Sequence, residues 1–159
     1  MDPFDIAILS ALQADGAMTN AALSEKVNLS ASQVSRRRQA LEAAGIIEGY
    51  SARLNLQKLG FGVRAVTRVN LRHHGKDRED EFARFIDERP EISVAFSVSG
   101  DADYILDIRV VDLTAFADFI HNHLLPHPQV SQVRSEIVLR TMKDRGGVAL
   151  DHRAGDGPR

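Results

Sequence analysis

Ser32, Gln33, Ser35, Arg36, Arg37 and Arg38 crowd into one short stretch. These are the residue types that grip and read duplex DNA. Arginine pairs with phosphate or with guanine edges, glutamine can bond adenine bidentately, and serine hydroxyls suit several base edges. Arg36 and Arg37 fit phosphate or guanine contacts, and Arg38 fits a phosphate near the flank. Ser32, Gln33 and Ser35 fit as base readers. Short polar groups followed by cations suit a helix that enters a major groove N-terminus first. An arginine run on a helix is often only a solvated face, so the surrounding elements must decide.

Those elements support the DNA reading. Ser30 is a good N-cap, and Gln33 three residues on completes a capping box. Gln33 cannot both close that box and bond adenine. Val34 and Leu41 share a stripe with Arg38, which anchors the helix to a core. Gly45 ends it as a C′ residue. Upstream, Asp2-Pro3 opens a first helix with Ile6, Ile8, Leu9 and Leu12, and Asp15-Gly16 stops it. Thr19 caps a short second helix from Asn20 to Val27, with Leu23 and Val27 facing inward. Asn28 stands in the turn that follows, and asparagine tolerates positive φ. Three helices with a tight final turn make a helix-turn-helix. The same pattern would serve a three-helix interaction module, so a ligand-binding or assembly module without DNA binding stays open as the alternative.

Ile46-Ile47-Glu48-Gly49-Tyr50 and the residues up to Asn55 are too apolar for a free linker. An extended piece on the helices is expected, with a small wing as one form of it. Beyond a connector, Val63, Ala65, Thr67, Val69 and Leu71 alternate as a half-buried strand. His73 to Asp77 reads as loop. Phe82, Phe85 and Ile86 form a helical stripe closed by Pro90. Val94, Phe96 and Val98 make a second strand, Gly100-Asp101-Ala102-Asp103 a turn, and Tyr104 to Val110 a third strand. Asp112 caps a helix carrying Leu113, Phe116, Phe119, Ile120 and Leu124, broken by Pro126 and Pro128. Ser135, Ile137, Leu139 and Thr141 alternate as a fourth strand.

The order strand, helix, strand, strand, helix, strand is the split βαβ arrangement. The expected fold class is α+β: an N-terminal (winged) helix-turn-helix domain over 1–55, a connector over 56–62, and a ferredoxin-like βαββαβ domain over 63–144. Residues 145–159, poor in apolar side chains, read as a flexible tail. The helix-free sheet face would carry Arg64, Arg68, Asp107, Arg109, Arg134, Glu136 and Arg140 among Val66, Ile105, Val111 and Val138. Aliphatic breaks in the charge favour pairing with a second copy over plain solvation.

The 159-residue chain is 43% hydrophobic with a formal net charge of -2, so DNA affinity must come from a local patch. It has no cysteine, which removes disulfides, thiol catalysis and cysteine-based zinc sites. No apolar run approaches the ~20 residues of a membrane span. The N-terminal stretch lacks signal-peptide features. A cytoplasmic protein without membrane contact is expected. His121, His123 and His127 do not share a helix face, so no metal site is expected. No cofactor is implied. No phosphate-binding glycine loop or metal-ligand motif offers catalysis, so no enzyme is expected.

The sequence resembles the Lrp/AsnC family of transcriptional regulators over nearly its whole length. The resemblance rests on Asp5-Ile6-Ala7-Ile8-Leu9, Leu29-Ser30-Ala31-Ser32-Gln33-Val34, Arg37, Leu41-Glu42, Gly45-Ile46-Ile47 and Gly49-Tyr50. Leu59-Gly60 and Gly100-Asp101-Ala102-Asp103-Tyr104 complete it. It implies binding of double-stranded DNA, sheet-mediated dimers that assemble further, commonly to octamers, and an amino-acid or related small-molecule effector. The effector cleft it implies is lined by Gly100, Asp101, Asp103 and Tyr104. There Asp101 and Asp103 could meet an ammonium, and Gly100 lets amides approach a carboxylate. Three positions depart from the family pattern. Asn28 replaces a glycine, Arg38 a common apolar residue, and Ala40 a common basic one, which displaces the basic surface.

Overall fold

The computed structural model describes residues 1–72, 75–144 and 146–150, apart from the side chains of 76–78. They divide into two compact units, one of Met1–Leu54 together with the C-terminal segment from Lys143, the other of Asn55–Met142.

The first unit holds α1 (Pro3–Ala14), α2 (Asn20–Val27) and α3 (Ala31–Ala43). Each begins at a side chain that satisfies an orphan amide of the first turn. Asp2 accepts from Phe4, Thr19 from Ala22, and Ser30 from Gln33 in a closed capping box. Between α2 and α3 the chain reverses at Asn28, in the left-handed region at φ 55°, ψ 44°. Gly45, at φ 67°, ends α3, and the Ile46 and Ile47 amides return to the Leu41 carbonyl. Ile8, Leu9, Leu12, Leu23, Val27, Val34 and Leu41 form one buried cluster. Burying each aliphatic side chain contributes roughly 1.5–3 kcal/mol, which is what holds helices this short in place.

Among the described residues no strand forms between 44 and 62. The place of a wing is taken by an extended segment fastened through side chains: Ile47 against the core and Tyr50 against α3. At the other end of the chain, residues 146–150 are docked where a flexible tail is expected. The Val148 amide donates to Gln13 Oε1 at 2.7 Å, and Gln13 Nε2 donates to the Val148 carbonyl at 3.3 Å. Leu150 packs on the same core. The carboxamide of Gln13 supplies both an acceptor and a donor to one residue, a pairing no composition argument foresees. The remainder of the expected tail, residues 145 and 151–159, lies outside the described residues.

The second unit runs β1 (Val63–Leu71), α4 (Lys76–Asp87), β2 (Ile92–Ser97), β3 (Tyr104–Val110), α5 (Leu113–Phe119) with a π-helical turn over Ile120–Leu124, and β4 (Val130–Ile137). The sheet order is β2-β3-β1-β4 and every pairing is antiparallel. This is the ferredoxin-like arrangement. Ala65, Thr67, Val69 and Leu71 alternate inward from β1. They meet Leu106, Ile108 and Val110 from β3 and Phe82, Phe85, Phe119 and Leu124 from the helices.

Three elements differ from expectation: β2 ends at Ser97, before Val98, and exposes Val94 and Phe96, and α4 and β4 have other ends. α4 begins at Lys76, inside the stretch read as loop, and His73 lies outside the described residues. β4 starts five residues before Ser135 and ends at Ile137. Its inward parity is as expected. However, Ile137 already faces Ala65 and the Val138 amide reaches Arg64 near the start of β1. Beyond that point β4 has no partner strand, and Leu139 is almost wholly exposed. No helix among the described residues is long and apolar enough to cross a membrane.

Candidate functional site

The capped N-terminal half of α3 exposes Ser32 and Arg36, with Ser35 half-buried beside them and the Ser32 hydroxyl 3.0 Å from that of Ser30. Arg36 makes no hydrogen bond or ion pair with any other described residue. Gln33 is exposed but engaged. Its Oε1 accepts the Ser30 amide at 3.0 Å, while its own amide donates to Ser30 Oγ at 3.3 Å. While that box is closed, the carboxamide cannot pair bidentately with a base.

The next two arginines turn back into the protein. Arg37 Nη1 donates to Asp5 Oδ1 at 2.8 Å, and Nη2 to Asp2 Oδ2 at 3.3 Å. Its guanidinium also lies 5.5 Å from the Phe4 ring centroid. The Phe4 amide, and then Arg37, hold the Asp2 carboxyl below its ordinary pKa. Arg38, on the stripe with Val34 and Leu41, reaches Glu42 at 3.2 Å, the Tyr50 hydroxyl at 2.8 Å, the Met18 carbonyl at 3.3 Å and Asn20 at 3.3 Å. It lies 4.5 Å from the Tyr50 ring centroid. Tyr50 in turn donates to Glu42 at 2.7 Å. Burial and that carboxylate push the Tyr50 phenol up. The Arg38 departure from the family pattern is thereby explained: its position faces α2 and the following segment, and the side chain fills it with polar bonds.

In the second unit the 100–104 turn is divided in its roles. Gly100 sits at φ 153° with open space where a Cβ would be. Asp101 is exposed, and its carbonyl accepts from Asn70 Nδ2 at 2.7 Å. Asp103 instead faces β1, accepting the Leu71 amide at 2.7 Å. Tyr104 packs at 5.0 Å from Phe82, and burial raises its phenol pKa. An open concavity of ≈ 600 Å³ gathers Asp101 and Ala102 with Arg68, Asn70, Gln132, Arg134 and Glu136. Arg68 and Glu136 pair at 2.5 Å, and this bond holds the Glu136 carboxyl below its ordinary value. Asn70, Gln132 and these charged neighbours are absent from the sequence-derived effector set. The signal was the outward parity of β1 and β4, which puts Arg68 opposite Arg134 and Asn70 opposite Gln132.

The same open sheet face carries a second ionic knot. Arg64 holds Asp107 through Nε at 3.0 Å and Nη2 at 2.6 Å, and Arg109 Nη2 reaches it at 3.4 Å. Val94 and Phe96 of β2 flank it, 42% and 56% exposed. Among the described residues no group of three or more His, Asp or Glu side chains is placed to hold a metal ion. His127 packs beside Phe82 and Phe85, with ring centroids at 5.4 and 4.7 Å, and His123 lies 6.0 Å from Phe119.

A helix-turn-helix with an exposed polar helix end, followed by a ferredoxin-like domain with a charged concavity, defines a DNA-binding protein with a ligand-sensing domain. Comparison with known proteins agrees. Residues 1–48 match the winged helix-turn-helix DNA-binding family model, and residues 64–148 match the Lrp/AsnC ligand binding domain. The chain belongs to the Lrp/AsnC family of transcriptional regulators. It is 37% identical to the leucine-responsive regulatory protein of Rhizobium meliloti over 144 residues, covering 91% of this chain and 92% of that protein. It is 32% identical to the transcriptional regulator AzlB of Bacillus subtilis over 151 residues, covering 95% and 96%. Among solved structures it resembles a Neisseria meningitidis transcriptional regulator in complex with L-Met. The TM-score is 0.93 at 37% identity, covering 96% of this chain and 99% of that one.

Proposed function

We propose that this chain is a cytoplasmic, non-enzymatic regulator of transcription. It binds double-stranded DNA through α3 and responds to an amino acid or a related small metabolite. The observation that carries the reading is the outer face of α3, where exposed Ser32 and Arg36 and half-buried Ser35 follow a closed cap and a left-handed turn. Serines near the helix start suit base edges and Arg36 suits a phosphate or a guanine.

For the effector, a zwitterionic amino acid needs one anion and one cation at close range. Asp101 and Arg134 line the same concavity and supply both. Gly100 leaves room for a close approach of the backbone, while Asp103 and Tyr104 hold the wall of the turn. The L-Met complex of the Neisseria relative supports this class of ligand.

Self-association fits the open sheet face. Phe96, Val94, Ile105 and Val66 interrupt the Arg64–Asp107–Arg109 knot, so a second copy could bury apolar area while opposite charges set the register. A dimer that assembles further is the proposed state. Phe96→Glu should leave the domain folded and reduce the assembly in size-exclusion light scattering.

A thermal-shift screen against the twenty amino acids tests the effector reading. A ligand at ~100 times its Kd should add about 2.7 kcal/mol of stability. Asp101→Asn should abolish the shift given by the responding amino acid, and an unaltered shift would move the pocket elsewhere. Titration of labelled duplex DNA tests the rest: no salt-dependent binding by the purified protein would leave only a sensing or assembly module.

A further inference from the structure

We propose that Arg37 and Arg38 are positioning residues, struts that set the angle of α3, and that Arg36 is the one arginine of the run that delivers its charge to DNA. The inference rests on the reading that α3 enters the duplex.

The geometry separates the three side chains although they are adjacent in sequence. Arg36 is exposed and makes no bond to another described residue. Arg37 grips two carboxylates at the start of α1, and both are anchored there. Asp2 is the N-cap of α1, with its other oxygen accepting the Phe4 amide at 2.7 Å, and Asp5 lies in the first turn. Arg37 therefore ties the middle of α3 to the beginning of α1 by a two-point fork that a lysine could not reproduce. Arg38 ties α3 to the residues around α2 through Met18 and Asn20, and to the following segment through Tyr50.

Charge points the same way. Asp2, Asp5 and Glu42 stand against Arg37 and Arg38, so the run does not present three free cations. Moving Arg37 onto a phosphate would leave Asp2 and Asp5 uncompensated beside a polyanion. Moving Arg38 would abandon Glu42 and strip a partly buried site of its partner. Arg36 reaches a phosphate at no such cost.

The test is the salt dependence of binding, measured by anisotropy with the full-length protein and a fluorescein-labelled duplex that the wild-type protein selects from a random-sequence pool. Each phosphate contact contributes about one ion to the slope of log Kd against log salt. Arg36→Ala should flatten the slope by about one. Arg37→Ala and Arg37→Lys should both weaken binding by about tenfold at fixed salt and leave the slope unchanged, since a tilted helix loses base-edge contacts, which depend on its angle and release no counterions. Arg38→Lys should behave likewise. Asp5→Asn is the sharpest arm. It removes a negative charge near the duplex, so simple electrostatics expects tighter binding, whereas a lost strut weakens it. Asp5→Asn combined with Arg37→Lys should be no worse than either alone. Tighter binding by Asp5→Asn, near-normal binding by Arg37→Lys, or a slope flattened by Arg37→Ala overturns the inference while the DNA-binding reading stands. A wild-type chain that shows no salt-dependent binding overturns that reading, and this inference with it. Circular dichroism melts accompany each variant. If Arg37→Ala fails to fold, the Asp5→Asn and Arg37→Lys arms decide.

Discussion

The Asp103 carboxylate accepts the Leu71 amide at 2.7 Å, so the turn at the mouth of the charged concavity is stapled to the end of β1. The backbone reinforces it: the Asp103 amide donates to the Val69 carbonyl at 3.1 Å, and the Val98 amide donates to the Asp103 carbonyl at 3.0 Å. An aspartate that reads in sequence as a ligand contact has its carboxylate engaged by the backbone of a neighbouring strand. Asp103→Ala should cost about 2 kcal/mol, the scale of a part-buried hydrogen bond to a charged group, and should abolish the effector response. Asp103→Asn keeps an acceptor and should retain most of both. Urea denaturation and the thermal-shift response check the pair, and equal behaviour of the two variants would deny the staple.

Asn28 holds the reversal between α2 and α3 at φ 55°. Only residues that tolerate the left-handed region fit there. Asn28→Gly should change stability by only a few tenths of a kcal/mol, and Asn28→Val should cost about 1–2 kcal/mol through its Cβ clash. Denaturation midpoints distinguish them, and DNA affinity should fall with the valine variant as α3 loses its placement.

The docked segment 146–150 should contribute to the first unit. Truncation after Asp144 removes the Gln13–Val148 bonds and the packing of Leu150, for an expected loss of about 1–2 kcal/mol. Gln13→Ala should reproduce part of that loss in the full chain and none in the truncated one. A truncated protein with an unchanged melting temperature would return the segment to the role of a tail.

His127 should make the second unit acid-sensitive. Its ring packs against the edges of the stacked Phe82–Phe85 pair, and its Nδ1 accepts the Gln129 amide at 3.3 Å, a bond that only the neutral ring can make. Burial lowers its pKa, with Arg89 adding to the shift and Glu81 opposing it. The unfolded ring takes a proton near pH 6.5, above the folded value. Stability from the neutral ring is therefore complete above that pH and is lost as pH falls toward the folded pKa. Between about pH 7.5 and 5.5 the wild type should lose more melting temperature than His127→Gln, which cannot take up the proton. Parallel slopes would remove His127 from the acid response.

What the sequence determined by itself was local. Asp2-Pro3, Thr19, the Ser30–Gln33 box, Gly45 and Asp112 all act within a few residues, so the starts of α1, α2, α3 and α5 and the end of α3 were legible, whereas α4, which no side chain caps, was read as starting too late. Strand parity was legible in β1, β3 and β4, because side chains alternate faces whatever the partner, and with it the charged face of Arg64, Arg68, Asp107 and Glu136, whereas Val94 and Phe96 of β2 turned out to share that open face. The family resemblance placed the turn at 100–104. What only the tertiary structure decided depends on groups distant in sequence. The extent of β4 follows from the span of β1, with Val130 opposite Leu71 and Ile137 opposite Ala65. The engagement of Arg37 follows from carboxylates on another helix, that of Asp103 from an amide on another strand, and that of Val148 from a glutamine in the first helix. Pattern and propensity describe what a residue can do alone. Whether an arginine is a free cation or a strut is settled by the acceptor that folding brings within 3 Å of it, since only at that range does a fixed partner outcompete water.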